Sequence, residues 1–410
     1  MAIYNKGHDG LIAGVLTLSI VFALGLCACA DTWTQIEQHS GPRYVAGEVF
    51  NGKYYGGTGC NNLLSSAIYD YPPIRNMHQF NGETVLDFCA FNGTLYSAHE
   101  ALAGNGYVCK LVSDNCPSCW QSAYMYPGSF ITFLGTFGGY IYATGGSGST
   151  SIELLRSSNG SSWSGVTTFN DWCWVPVTYN NEIYILGHSG TAYQANGARA
   201  YKSSNGTSFS TVSALEGGPE YQCGYVWNGN LYLGSGGWTN NREGNDSARI
   251  YRYNGSTRTQ VFSTTMNAVT SICAAGGKLY AAVDSGWNRT SGNSYVYVSS
   301  DGTTWTLNHT FSGVPELRVA SDGANKLMAV GGTYCSSAVM YSCTNLDSQA
   351  PSVPTGVSAT AQSQSSILVG WTASTDNVGV AGYKVYRNGS QVGMSSTTGY
   401  TDTGLSASTT

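Results

Sequence analysis

Charge is what this chain has least of. Lys and Arg number 18 and Asp and Glu 23, together 10% of 410 residues, against about 25% in an average soluble domain. The net charge of −5 is mild. With no basic stripe to attract phosphates, nucleic acid is excluded as a partner. Long apolar runs are also missing. The longest, residues 11–26, is about 16 residues, short of the ~20 that a membrane span needs. Histidine is rare, at six, and none shows a metal-ligand spacing, so neither a metal nor another cofactor is expected. What remains is 53 Gly, 29 Tyr and 10 Trp. Turn formers and aromatics without charge fit extracellular β architecture.

The N-terminus reads as an export segment, residues 1–30. Lys6 precedes the apolar run, and Ala28-Cys29-Ala30 supplies a small-x-small cleavage site. A second reading stands beside it: Leu26-Cys27-Ala28-Cys29 resembles a lipobox, with a lipid anchor at Cys29. The first gives a secreted protein, the second a membrane-anchored lipoprotein. Ten cysteines follow, an even number that reads as disulfides in an exported chain. Cys335 and Cys343 flank a short hairpin and are the best single pair by spacing. Cys116-Pro-Ser-Cys119 has neither a following His nor a second CxxC, so it is neither a haem attachment nor a strong zinc site.

A repeat organises the rest. Phe50-Asn51-Gly52-Lys53-Tyr54-Tyr55 returns as Phe91-Asn92-Gly93-Thr94-Leu95-Tyr96, and again around 137–142, 179–184, 227–232, 275–280 and, degenerately, 322–328. The last positions are spaced by 41, 46, 42, 48, 48 and 48 residues. Asn-Gly and Gly-Gly accept the positive φ angles of a type I′ hairpin turn. A second hairpin follows in most copies, as in Ser157-Ser158-Asn159-Gly160-Ser161-Ser162-Trp163 and Ser299-Ser300-Asp301-Gly302-Thr303-Thr304-Trp305. Two hairpins make four strands, and four strands every 40–50 residues describe a propeller blade. The seventh copy lacks a fourth strand. Asp31-Thr32-Trp33-Thr34 resembles Gly302-Thr303-Thr304-Trp305-Thr306 and predicts that the N-terminal strand closes the ring.

The blades resemble those of kelch propellers in the Asn-Gly-x-Leu-Tyr hairpin and those of Asp-box propellers in Ser-Ser-Asp/Asn-Gly-x-x-Trp/Phe, one residue shorter than the usual box. The Asp-box likeness implies a structural role for Asp301, on a turn remote from any active site. Residues beyond 351 resemble a bacterial fibronectin type III domain: Leu368-Val369-Gly370-Trp371 as strand B with its core Trp, then Asn377-Val378-Gly379-Val380-Ala381-Gly382-Tyr383-Lys384-Val385-Tyr386. Such modules accompany secreted polysaccharide-degrading enzymes. The resemblance implies further strands after Thr410 and a longer parent protein. The expected fold is therefore all-β: an export segment at 1–30, a seven-bladed β-propeller at 31–345, a linker at 346–353 and a partial fibronectin type III β-sandwich at 354–410.

Chemistry is expected on the long connections, since the Asn-Gly turns are bland. The loops between second and third strands are read as holding His99, Glu100, Trp238, Arg242, Glu243, Asp284 and Trp287, with Asp171 and Glu220 between blades. The two tryptophans offer faces for sugar stacking, or they cap blades. The carboxylates Glu100, Asp171, Glu220, Glu243 and Asp284 include an acid/base pair, or are solvated singly. His99 and His188 lie in different blades with no ligand spacing. The domain order also fits a galactose-oxidase-like reading, but no copper-site constellation can be traced. Two functions stand: a secreted or cell-surface module that binds polysaccharide or surface glycan, and an extracellular glycoside hydrolase or lyase.

Overall fold

The computed structural model describes residues 22–25, 31–60, 66–72, 75–80, 83–101, 104–113, 119–146, 151–190, 197–237, 247–286, 290–344, 351–375, 380–387 and 390–406. Contacts divide the chain into Asp31–Leu346 and a second unit made of Met1–Ala30 and Asp347–Thr410. Strands dominate both. One 3-10 turn, Ser213–Leu215, is the sole helical element among the described residues.

The first unit is a seven-bladed β-propeller. Its strands form seven antiparallel four-stranded units in chain order. The inner strands are Arg43–Phe50, Glu83–Phe91, Phe130–Phe137, Trp172–Tyr179, Tyr221–Trp227, Ala268–Ala275 and Glu316–Ser321. Each touches the next, and Glu316–Ser321 touches Arg43–Phe50, so the ring is closed. In the first hairpin Phe50 pairs with Lys53. That leaves Asn51 and Gly52 as the two turn residues, at φ 48° and 76°. A β-branched residue there would be strained, which explains the recurrence of Asn-Gly.

The outer hairpin turns on a carboxamide or carboxylate. Asn159 Oδ1 accepts the N–H groups of Ser161 and Ser162 at 2.9 and 2.8 Å, and Ser157 Oγ accepts that of Gly160 at 2.8 Å. Asn205 and Asp301 repeat the arrangement. Partial burial works to raise the Asp301 carboxyl. The donors from Thr304 and Thr303 together outweigh it and hold the group well below the ordinary range. Asp301 thus has a structural occupation.

The two motifs meet across blades. The motif tyrosine of one blade lies against the turn glycine of the next: Tyr96 on Gly160, Tyr142 on Gly206 and Tyr232 on Gly302, each so close that a Cβ on the glycine would overlap the tyrosine hydroxyl. In this way a local turn signal also specifies neighbour packing.

Ring closure is double. Thr32–Ser40 pairs antiparallel with Ser337–Thr344, Trp33 opposite Cys343 and Gln38 opposite Val339, as the N-terminal strand was expected to do. Cys60 of the first blade is also bonded to Cys335 of the last, with Cα atoms 5.3 Å apart. This corrects the spacing-based pair Cys335–Cys343. Cys335 lies in the turn after Leu327–Thr333, whereas Cys343 pairs with Leu327 at the far end of the returning strand. The two are a strand's length apart.

The second unit is a two-sheet sandwich, consistent with a partial fibronectin type III domain. Thr355–Ser363, Ser366–Thr372 and Gly399–Thr403 form one sheet, and Val380–Arg387 and Ser390–Ser395 belong to the other. Phe22–Gly25, within the expected export segment, pairs antiparallel with residues 380–384. Trp371 and Tyr383 pack edge to face at 5.1 Å in a core completed by Ile367, Val369 and Val385.

Candidate functional site

The seven inner strands converge on an axial cavity of about 330 Å³. Polar and apolar surface share its wall about equally, with Glu48, Asp87, Gln222, Tyr225, Thr270 and Arg318 among the residues that line it. Asp87 Oδ2 accepts the N–H of Leu134 from the next blade at 2.9 Å. Arg318 Nη1 donates to the Thr270 carbonyl at 2.8 Å, again across a blade boundary. Burial raises the Glu48 carboxyl to about 8, with the Val49 N–H opposing and the charge of Asp87 adding. Burial likewise lifts Asp87 to about 7, while the N–H groups of Leu134 and Phe88 and the charge of Arg318 pull it back. Two carboxyls that exchange protons near neutrality thus share one cavity with a guanidinium.

Where the inner strands begin, polar residues form a rim. Arg43, at the head of the first inner strand, is ion-paired with Glu316 at the head of the last. Its Nη1 reaches the Gly59 carbonyl at 3.3 Å, and its guanidinium lies 4.9 Å from the Tyr334 ring centre. Asp284, 4% exposed, is pushed up to about 8 by burial and by the charge of Glu316, against the pull of Arg318 and Arg43. On the fourth and fifth blades His188 Nε2 lies 3.4 Å from Glu220 Oε2, and Gln222 Nε2 donates to Glu220 Oε1 at 2.7 Å. The rings of Trp172 and Trp174 sit 5.8 and 5.5 Å from that of His188. Burial lowers His188, opposed by the Ser189 carbonyl and the charge of Asp171.

The second blade holds a different histidine. His99, 0% exposed, lies between Ser97 Oγ at 2.7 Å and Glu83 Oε2 at 3.1 Å. Burial disfavours its charge, but the Cys109 sulfur and the Glu83 carboxylate outweigh that and raise it to about 9. No group of three metal-capable side chains occurs among the described residues.

Of the residues expected to form the site, Trp238, Arg242, Glu243 and Trp287 lie outside the described residues. His99 and Glu100 belong to the strand Thr94–Ala101, and Asp284 ends the strand Lys278–Asp284. These two second strands run eight and seven residues and so absorb what reads in sequence as the start of a loop. Glu100, half-buried and raised by burial, pairs through its backbone with Phe130 of the third blade. His99 and Glu100 stand in the second blade and Asp284 in the sixth, where its charged neighbours are Glu316, Arg318 and Arg43. Glu48, Asp87 and Arg318 escaped the sequence reading. Their signal was a charge inside an otherwise apolar inner strand, in a chain where charge is rare. Cys223 and Cys273 also line the cavity, and burial pushes both thiols up to about 12, which leaves them unreactive.

No family model matches the chain. Among curated proteins it is similar over 63 residues to an alpha-amylase of Niallia circulans, with 51% identity, covering 15% of this chain and 5% of the amylase. It matches a chitinase of Paenibacillus xylanexedens over 64 residues with 55% identity, 16% of this chain and 12% of the chitinase. Chitinase A1 of Niallia circulans is 44% identical over 117 residues, 27% of this chain and 16% of that enzyme. The chain therefore spans 16% or less of the length of these relatives. Among solved structures it is similar to an ulvan lyase bound to a GlcA–Rha3S saccharide, with TM-score 0.51, 9% identity and coverage of 76% of this chain and 96% of the lyase. The WD40 domain of Toxoplasma gondii coronin gives TM-score 0.50 at 9% identity, covering 84% and 93%. At such identity these likenesses concern the fold alone, and they agree on a propeller. No helix among the described residues is long and apolar enough to cross a membrane.

Proposed function

We propose that the protein is a secreted or cell-surface carbohydrate-binding propeller that takes polysaccharide or surface glycan on the face where its inner strands begin. The observation that carries this reading is the axial cavity: a concave wall of mixed polar and apolar surface on which several polar groups converge, as they do at ligand sites. Its size suits one or two sugar rings, whose hydroxyls would meet Glu48, Asp87, Gln222 and Arg318. In this reading Trp238 and Trp287 stack on sugar rings, and Arg242, Glu243 and Glu100 contact sugar hydroxyls. The buried His99 and Asp284 act as supports of the rim. The kelch-like and Asp-box-like turns are structural in this reading. Matches of 63 and 64 residues to polysaccharide-acting enzymes fit one shared fibronectin-like module, and such a module suits a chain that works on extracellular glycan. Residues 1–30 direct export, with a lipid at Cys29 as the alternative to free release.

A second reading, a glycoside hydrolase or lyase, is favoured by one observation. Glu48 at about 8 and Asp87 at about 7 share a cavity, and the charge of Asp87 adds to the rise of Glu48, as in an acid/base pair. One experiment separates the readings. The full chain is applied to a glycan array and, in parallel, incubated with the retained polysaccharides while reducing ends and unsaturated uronates are followed. Retention without turnover supports binding, and turnover abolished by Glu48→Gln supports the enzyme. Retention of no glycan, together with no turnover, contradicts both.

A further inference from the structure

The junction between the sixth and seventh blades differs from those that end on the turns of Asn159, Asn205 and Asp301. In the third, fourth and sixth blades the third and fourth strands are joined by a turn whose Asn or Asp accepts two backbone N–H groups and whose Gly receives the preceding blade's tyrosine. In the seventh blade those strands, Ser337–Thr344 and Thr32–Ser40, come from opposite ends of the chain, so no turn joins them. Asp31 stands in its place. The Tyr280 hydroxyl donates to Asp31 Oδ2 at 2.8 Å, and Asn308 Nδ2 donates to the same oxygen at 2.9 Å. Trp33 Nε1 fixes Asn308 through its Oδ1 at 2.7 Å. Asp31 is 6% exposed, yet its other carboxylate oxygen, Oδ1, is buried with no hydrogen-bond partner among the described residues. A buried carboxylate oxygen without a donor is expensive and asks for one.

The sequence holds a donor that exists only after processing. Hydrolysis of the Ala30–Asp31 peptide bond consumes one water. The C–N bond breaks, Ala30 leaves with a new carboxylate, and the Asp31 nitrogen gains protons to become an α-ammonium. That ammonium is four bonds from Oδ1 and can reach it from a staggered χ1 rotamer. We infer that Ala30–Asp31 is the maturation site, cut by an export endopeptidase, and that the resulting α-ammonium is a structural group that pairs with the buried Asp31 carboxylate and locks the sixth blade to the seventh. The export reading of residues 1–30 is deepened here: the cut does more than release the chain, since it completes the last blade. A lipid on Cys29 would leave the Asp31 nitrogen an amide and Oδ1 unpaired, so the two maturation routes exclude each other.

The test uses the full chain exported from a secreting host. Its intact mass is expected to place Asp31 at the N-terminus. Three further chains are prepared: one with a single Ala preceding Asp31, the Asp31→Asn variant, and that variant with the same Ala extension. The extension is expected to lower the melting temperature by about 2–4 °C when Asp31 is present, the shift that a lost charge-assisted pair gives in a domain of this size. Between the two chains that carry Asp31→Asn, the extension is expected to change nothing measurable. Independently of those variants, the α-amine of the exported chain is expected to react with an amine-specific reagent at least tenfold more slowly folded than unfolded. An exported chain that begins elsewhere, an extended chain as stable as the native one, or an α-amine equally reactive in both states would each overturn the proposal.

Discussion

The periphery and the axis of this propeller are built by opposite rules. At the periphery the same few contacts recur: Asn159, Asn205 and Asp301 fasten the same turn, and Tyr96, Tyr142 and Tyr232 lie on equivalent glycines. At the axis the charged and polar groups differ from blade to blade. The inner strands contribute Glu48, Asp87, Phe133, Pro176, Gln222, Thr270 and Arg318 in turn. Repetition is what a ring of equal blades needs in order to close. A binding site needs convergent groups that differ. The lesson is that in a repeat protein the departures from the repeat, more than the repeat itself, point to the ligand.

The peripheral half of this comparison breaks most severely at the ring seam. Replacing Cys60 or Cys335 by Ser removes a link between residues 275 apart. It is expected to cost about 2–5 kcal/mol, measured as a lower denaturant midpoint, while the Thr32–Ser40 pairing keeps the chain folded. Next comes Gly206→Ala. The residue has φ 70° and its Cβ would overlap Tyr142, so about 1–3 kcal/mol is expected to be lost, read by thermal melting. The equivalent change at Gly93, which has open space around it, is expected to cost less, from its φ of 75° alone.

The axial half sharpens through pH. Glu48, Asp87 and Asp284 are raised from 4.5, 3.8 and 3.8 to about 8, 7 and 8. Each favours the protonated form more strongly when folded. Their contribution is complete below about pH 4 and is lost as pH rises through 7 to 8. The melting temperature is expected to fall between pH 5 and pH 8.5, and Glu48→Gln is expected to flatten part of that slope. A melting temperature that rises over this interval in the wild type and not in Glu48→Gln would refute the assignment. The smallest effect is expected at Asp301→Asn, within about 0.5 kcal/mol near neutral pH, because Asn already serves in two sister turns. Since the Asp301 carboxyl is held low, its contribution disappears only as pH falls below the unfolded value of 3.8, and the Asn variant is expected to lose that acid sensitivity.

The same division explains what the sequence discloses. Asn51-Gly52 is a turn for reasons contained in two residues, and Asp31-Thr32-Trp33-Thr34 discloses the closing strand by its likeness to residues 302–306. The bond between Cys60 and Cys335 and the pair between Arg43 and Glu316 depend on the first and last blades becoming neighbours, which no local pattern states. His99 and Asp284 were read as loop residues because a strand's final residues carry no turn chemistry to mark its end. Glu48, Asp87 and Arg318 were passed over because charge had been sought on connections, whereas the narrow axis turns mid-strand residues inward.

The most direct test of the central claim, that glycan is recognised at the axial face and not at the periphery, compares two variants on the polysaccharide most strongly retained by the array. Trp238→Ala with Trp287→Ala removes the proposed stacking faces, and Trp163→Ala removes a peripheral ring that stacks on Tyr124 at 5.8 Å. Affinity by isothermal titration and melting temperature are measured for both. The account predicts that the double variant loses at least about tenfold in affinity, the effect of 1.4 kcal/mol, with little change in melting temperature, and that Trp163→Ala melts earlier yet binds as wild type. A double variant that binds as tightly as wild type, or a Trp163→Ala variant that keeps its stability and loses the glycan, would contradict it.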